Sequence, residues 1–216
     1  MTRDFILQRL AATRLPAGQP GSRAPGVRYG PTAAALRARG DHDLTAGAKP
    51  PQKPLTPAAV LVPLVDRGAI TVLLTQRTDH LGAHAGQISF PGGSIEPSDP
   101  DYVAAALRET EEEVGITADR VDVIGRLDDY ITGTGFRVAP VVGVVRPPFE
   151  VKVDPFEVAE VFEVPLDFVL DPANHEQHAR IVNGVERRYY VLPYEQRYIW
   201  GATAGMLINL YEVLRG

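Results

Sequence analysis

Apolar and polar positions begin to alternate regularly at residue 58. AAVLVPLV (58–65) and ITVLLTQR (70–77) read as strands, and the turn at 66–69 predicts that they pair as a hairpin. VDVIGRLDDYI (121–131), FRVAPVVGVV (136–145) and EVAEVFEVPL (157–166) also read as strands. Between these two groups the period changes. Val103, Leu107, Thr110 and Val114 recur at spacings of four and three, which predicts a helix with one buried stripe. Asp99 is placed to cap its start, Pro100 suits the first helical position, and Gly115 suits a left-handed stop. A second helix is predicted over 201–214. Strands lying between two helices predict an α/β fold, an α/β/α sandwich around a central mixed sheet.

The chain before residue 58 follows a different pattern. Residues 2–12 form a short amphipathic helix on paper, with Phe5, Ile6 and Leu10 on its apolar side. Residues 16–57 are rich in Pro, Gly, Ala and Arg, with weak periodicity apart from a helical stretch over 32–39. The expected division is an N-terminal arm over 1–57 and a folded domain over 58–216. Such an arm is either a leader without fixed structure or a segment that packs on a partner in a homodimer.

Composition narrows the function classes. With 216 residues, 44% of them hydrophobic, the chain can bury one substantial core. Its net charge of -5 supplies no general basic field for nucleic acid or an acidic membrane surface, so neither is an expected partner. The absence of cysteine excludes disulfides, thiol catalysis and cysteine-ligated zinc. The opening MTRDFILQRL carries an apolar run of only three residues, and no later run reaches membrane-spanning length. A cytoplasmic location is the expectation.

The helix ending at Val114 carries the most specific chemistry. At about 100° per residue, Glu109, Glu112 and Glu113 share a face away from the apolar stripe, whereas Glu111 points elsewhere. Like charges at these spacings, near the negative end of the helix dipole, destabilise a helix unless a cation offsets them. Grouped oxygen donors suit Mg²⁺ or Mn²⁺, and Arg108, four residues before Glu112, can hold a carboxylate in orientation. In isolation ETEEE reads as a solvated acidic face. The Pro-Gly-Gly turn at 91–93 and the spacing favour a metal-binding cluster instead.

RETEEEVGI (108–116) resembles the second half of the Nudix box: Gly, five residues, Glu, seven residues, Arg-Glu-U-x-Glu-Glu-x-Gly-U, with U aliphatic. The first half departs from it, because Asp99 stands where the box has Glu and eight residues rather than seven separate it from Arg108. The preceding LLTQRTDHLGAHAGQISFPGG (73–93) resembles the signature of the coenzyme A diphosphatase branch, with Arg77, Gly86, Phe90, Pro91, Gly92 and Gly93 in register. Thr78 replaces the usual Ser or Ala, and Gly82 replaces an Arg. The stretches 157–166 and 198–207 also look like this branch, so the resemblance spans about 58–214.

The resemblance implies a Nudix-like sandwich and metal-dependent hydrolysis of a diphosphate linkage in a nucleotide, with coenzyme A or acyl-coenzyme A favoured. Its implied metal ligands are Glu109, Glu112, Glu113 and the Gly93 carbonyl, binding Mg²⁺ or Mn²⁺. Glu112, Arg108 and Glu157 are the candidate catalytic residues, and Arg77, His84, Gly86, Phe90 and Gly92 the candidate substrate contacts. Two alternatives stand: hydrolysis of another nucleoside diphosphate derivative, which Gly82 favours, and a Nudix-like binding domain without turnover. Arg126, Arg137 and Arg180 are candidates for the cation that Gly82 lacks. Trp200 reads either as an adenine-stacking ring or as a packing anchor, Tyr189 and Tyr190 as strand packing, and His42, His175 and His178 as surface residues.

Overall fold

A computed structural model describes residues 2–10, 38–51, 53–80, 85–182 and 184–215. In chain order the elements are α1 (Arg3–Leu10), β1 (Ala38–Gly40), a 3₁₀ turn (Asp41–Leu44), β2 (Thr56–Asp66), β3 (Ile70–Arg77), β4 (Ile88–Ser89) and β5 (Gly92–Ser94). There follow α2 (Tyr102–Val114), β6 (Val121–Arg126), β7 (Asp129–Ile131), β8 (Phe136–Val145), β9 (Val158–Pro165) and α3 (Leu166–Val169). The last elements are β10 (Glu176–Val182), β11 (Val185–Tyr194), β12 (Arg197–Trp200) and α4 (Gly201–Arg215).

Nine strands form the central sheet, along the path β1-β7-β8-β2-β3-β4, with β5 also on β2, β6 on β8 and β9 on β3. It is mixed: β2 pairs with β8, and β1 with β7, in parallel, while β3 runs antiparallel to β2 and β9. Strand alternation sorts the apolar side chains into two layers, because successive residues point to opposite faces. Ala58, Val62 and Leu64 of β2 join Val72 and Leu74 of β3 under α4 and α1. Ala59, Leu61 and Val65 join Leu73 under Val103, Ala106 and Val114 of α2. The α/β/α sandwich follows from burying both faces.

Several local expectations change. The stretch 32–39 does not end as a helix: Ala38–Gly40 is a strand paired in parallel with β7, and the rest of that stretch lies outside the described residues. Ile6 and Leu10 of α1 are buried in the same cluster as α4, so this part of the expected arm packs on the body that follows residue 57. Strands β10, β11 and β12 form a separate three-stranded antiparallel sheet, of which the sequence marks only the strand packing at Tyr189 and Tyr190 in β11. Most of β10 and the first half of β11 is exposed on both faces, so no alternation marked them.

Candidate active site

Strands β2 and β3 pair only from Leu64 to Asp66 with Ile70 to Val72, and then diverge. The Gly-Gly turn fills the gap. On one side β5 pairs with β2, Gly92 opposite Val60 and Gly93 opposite Ala59; on the other β4 pairs with β3, Ser89 opposite Thr75. Gly92 has φ +151, and a Cβ there would stand 2.4 Å from the Ala59 carbonyl oxygen, so only glycine fits. At Gly93 a Cβ would stand 2.6 Å from the Glu109 carboxyl carbon. The missing side chain is what lets this carboxylate lie against the turn.

Helix α2 starts later than predicted. Asp101, not Asp99, is the cap, its Oδ1 accepting the Ala104 N–H at 2.8 Å, while Gly115 ends the helix in the left-handed conformation with its N–H donating to the Glu111 carbonyl. Asp99 is engaged elsewhere. Arg108 donates to it twice, Nε to Oδ1 and Nη2 to Oδ2, each at 3.0 Å, and its side chain is 5% exposed. This contact holds the Asp99 carboxyl below its ordinary range and keeps Arg108 firmly charged. Despite the longer loop, Asp99 therefore anchors Arg108. The arginine in turn reaches Glu109 at 3.0 Å and Glu112 at 3.1 Å.

The three glutamates sit in different environments. Glu113 was expected on a face away from the apolar stripe, yet it is 5% exposed. The inserted turn covers it, and its Oε2 accepts the Gly92 N–H at 3.2 Å. Burial pushes its carboxyl up to about 7, opposed by the Gly92 N–H and by Arg77 and reinforced by Glu109 and Glu157. Glu109 is half-buried and is also raised, mainly by burial and against the pull of Arg108. Glu112 projects outward, its side chain 60% exposed, with Arg108 as its ion-pair partner.

Arg77, at the end of β3, lies between carboxylates: its Nη1 is 3.8 Å from Glu113 Oε1 and its Nη2 is 3.6 Å from Glu157 Oε2. Glu157 is carried there by backbone bonds, its carbonyl accepting the Thr78 N–H and its own N–H donating to the Asp154 carbonyl. Glu160 is drawn away by Arg197, at 2.5 Å. Gly86 has φ +67, and a Cβ on it would meet Asp79 Oδ1 at 2.9 Å. Phe90 is 2% exposed within the α4-side core, which leaves no ring surface for a substrate; it supports the turn through packing instead. His84 and Gly82 lie outside the described residues.

Two substitutes for the missing arginine are otherwise engaged. Arg126 is buried against Asp129 and over the Tyr102 ring at 4.7 Å, and Arg137 shares Asp129 at 2.6 Å. Arg180, the third, lies over Trp200 at 5.0 Å and Tyr189 at 5.7 Å. Trp200 also meets Tyr189 edge-on at 5.4 Å, so its ring is packed between side chains of this chain.

Among the described residues no three acidic or imidazole groups already enclose a cation position. The donor chemistry still fits one. Glu109 and Glu113 are both raised by burial, each feels the other or Glu157 as a like charge, and arginines hold the ends of the group. A hard divalent ion bound by oxygen would relieve that repulsion. Glu109, Glu113 and the more exposed Glu112 are the carboxylates available to hold it, with Glu157 across Arg77 from Glu113.

The profile of the NUDIX domain matches residues 54–184. The chain belongs to the Nudix hydrolases. It is 43% identical over 153 residues to the uncharacterized Nudix hydrolase NudL of Escherichia coli O1:K1, an overlap covering 71% of this chain and 80% of that relative. Among solved structures it is similar to a C. elegans Ap4A hydrolase binary complex, with 25% identity, TM-score 0.45, and coverage of 51% of this chain and 80% of the other. It is also similar to the Nudix hydrolase RenU of M. smegmatis, with 21% identity, TM-score 0.48, and coverage of 76% and 88%. Nudix hydrolases in general hydrolyse nucleoside diphosphate derivatives with a divalent metal cation. No helix among the described residues is long and apolar enough to cross a membrane.

Proposed function

We propose that this Nudix hydrolase cleaves the diphosphate linkage of coenzyme A or an acyl-coenzyme A, adding water to release 3′,5′-ADP and the (acyl-)4′-phosphopantetheine. One observation carries the reading: the 73–93 signature leads Arg77 and the Gly-Gly turn to the same group of carboxylates, Glu109, Glu113 and Glu157. Mg²⁺ or Mn²⁺, when bound, neutralises the diphosphate and lowers the pKa of a water. Glu109, Glu112, Glu113 and the Gly93 carbonyl would hold the ion. Arg108, fixed by Asp99, orients Glu109 and Glu112. Glu157, whose partly exposed carboxylate lies beside Arg77, would accept a proton from the attacking water. Arg77 and the Gly92 turn would face the substrate phosphates, joined by His84 and Gly86 from the signature loop.

Hydrolysis of a different nucleoside diphosphate derivative is the second reading, favoured by Gly82 where the branch carries Arg. A panel assay with Mg²⁺ and with Mn²⁺ separates the two, following product release from coenzyme A, ADP-ribose, NADH and nucleoside triphosphates. Coenzyme A turnover is expected to lead the panel, and turnover below every other substrate would eliminate the first reading. Glu112→Gln and Glu113→Gln should each lose most of kcat while keeping the wild-type circular dichroism. Near wild-type turnover of both at saturating metal would refute the site assignment.

A further inference from the structure

Phe156 is 63% exposed, more than any other phenylalanine of the chain. It sits one residue before Glu157, on a turn tied at three points. Its carbonyl accepts the Thr78 hydroxyl at 2.8 Å, its N–H donates to Asp154 Oδ1 at 2.8 Å, and the Val158 N–H donates to the Asp154 carbonyl at 2.8 Å. The turn therefore fixes the backbone from which the exposed ring and, one residue on, the carboxylate that faces Arg77 project. Its ring neighbour is His80, also exposed, which meets it edge-on with centroids 4.9 Å apart. An edge-on contact leaves a phenyl face open.

We propose that Phe156, backed by His80, is the stacking platform for the heteroaromatic base of the nucleotide substrate. This rests on the hydrolase reading above and names a contact for the part of the substrate that does not react. The surrounding charge favours a base over a phosphate at the rings themselves: Asp79, Asp154 and Glu157 flank them in sequence. A neutral purine with an amino group to donate suits such surroundings. Stacking on an aromatic ring is tolerant of base identity and is worth about 1–3 kcal/mol per base. The rigid turn would hold base and diphosphate in a fixed relation, so that binding of the one places the other.

The test compares Phe156→Ala and Phe156→Trp with the wild type. Phe156→Ala should raise KM for the best nucleotide of the panel about tenfold, in line with one lost stacking contact, while kcat moves less than twofold. The inhibition constant of 3′,5′-ADP should rise in parallel, and that of inorganic pyrophosphate, which has no base, should stay constant. Phe156→Trp should keep the wild-type values. Equal weakening of both inhibitors by Phe156→Ala, weakening of neither, or an effect confined to the acyl chain of acyl-coenzyme A would each overturn the proposal. If the wild type hydrolyses no nucleotide, the hydrolase reading fails separately. Calorimetric binding of 3′,5′-ADP to wild type and Phe156→Ala then still decides this one: tenfold weakening sustains the platform, and equal or absent binding overturns it.

Discussion

Asp99 shows how a single side chain compensates for an irregular loop. One extra residue separates it from Arg108, and aspartate is one methylene shorter than the glutamate of the family box, yet the two still meet through paired hydrogen bonds. Both Arg108 nitrogens that face it are engaged, so Arg108 presents its remaining Nη1 to Glu109 and Glu112. Asp99→Ala should reduce kcat/KM about 10–100-fold, as the loss of a group that orients a metal ligand does, and should lower stability by about 2 kcal/mol in chemical unfolding. Its pH dependence has a definite sign. The folded carboxyl titrates below its unfolded value, so its contribution is fully present above about pH 4 and is lost as pH falls through the folded value. Wild type and Asp99→Ala should therefore differ most in melting temperature above pH 4 and converge under more acidic conditions. At this scale the sequence exposed the right residue types: the Arg-Glu spacing and the two glycines were legible because each rests on local geometry. The burial of Glu113 was not, because the chain that covers it comes from 21 residues earlier.

Helix α2 places that chemistry, and its two ends are fixed by different means. Asp101 caps the start through its side chain, whereas Gly115 closes the end through a backbone conformation at φ +74 that other residues adopt with strain. A Cβ on Gly115 would also press against Lys152, at 2.9 Å from its Cβ. Asp101→Ala should cost about 1 kcal/mol, and Gly115→Ala at least as much, each lowering the melting temperature by roughly 2–4 °C. Thermal unfolding followed by circular dichroism would check both. Wild-type stability in Asp101→Ala would take the cap away from Asp101. The cap was misread because DPD offers two aspartates, and propensity cannot tell which one an arginine nine residues later will claim. Elements with strong alternation, β2, β3, β8 and β9, were legible as strands, and the β2–β3 hairpin formed as its turn implied.

Across the whole molecule, the stretch from Ala38 to Leu44 is joined by polar contacts to β7, to the turn before it and to α4. Arg39 reaches Asp128 and Glu212, both at 2.6 Å, and Tyr130 donates its hydroxyl to Asp41 at 2.5 Å. Burial raises both the Tyr130 phenol and the Asp41 carboxyl, and the hydrogen bond between them answers for the lost solvation. Tyr130→Phe leaves Asp41 without that donor. It should cost about 1–3 kcal/mol and speed hydrogen exchange across 38–44, with the assay at the glutamate cluster unchanged. Equal exchange in wild type and variant would show that strand pairing with β7 alone holds the segment. None of this could be read from the Pro- and Gly-rich composition before residue 58, since its partners Asp128 and Tyr130 lie 89 residues away and Glu212 farther still.

What the sequence determined by itself was everything that repeats with a short period or depends on neighbours in the chain: the main strands, the two long helices, the Gly-Gly turn and the acid-bearing face of α2. What only the tertiary structure decided was which of those groups meet. Desolvation and Coulomb interactions depend on distance through space, so the separation of Glu113, Glu109 and Glu112 into buried, half-buried and exposed carboxylates appears only when the turn is wedged between β2 and β3. The meeting of Arg77 with Glu113 and Glu157, thirty-six and eighty residues apart from it, is decided for the same reason.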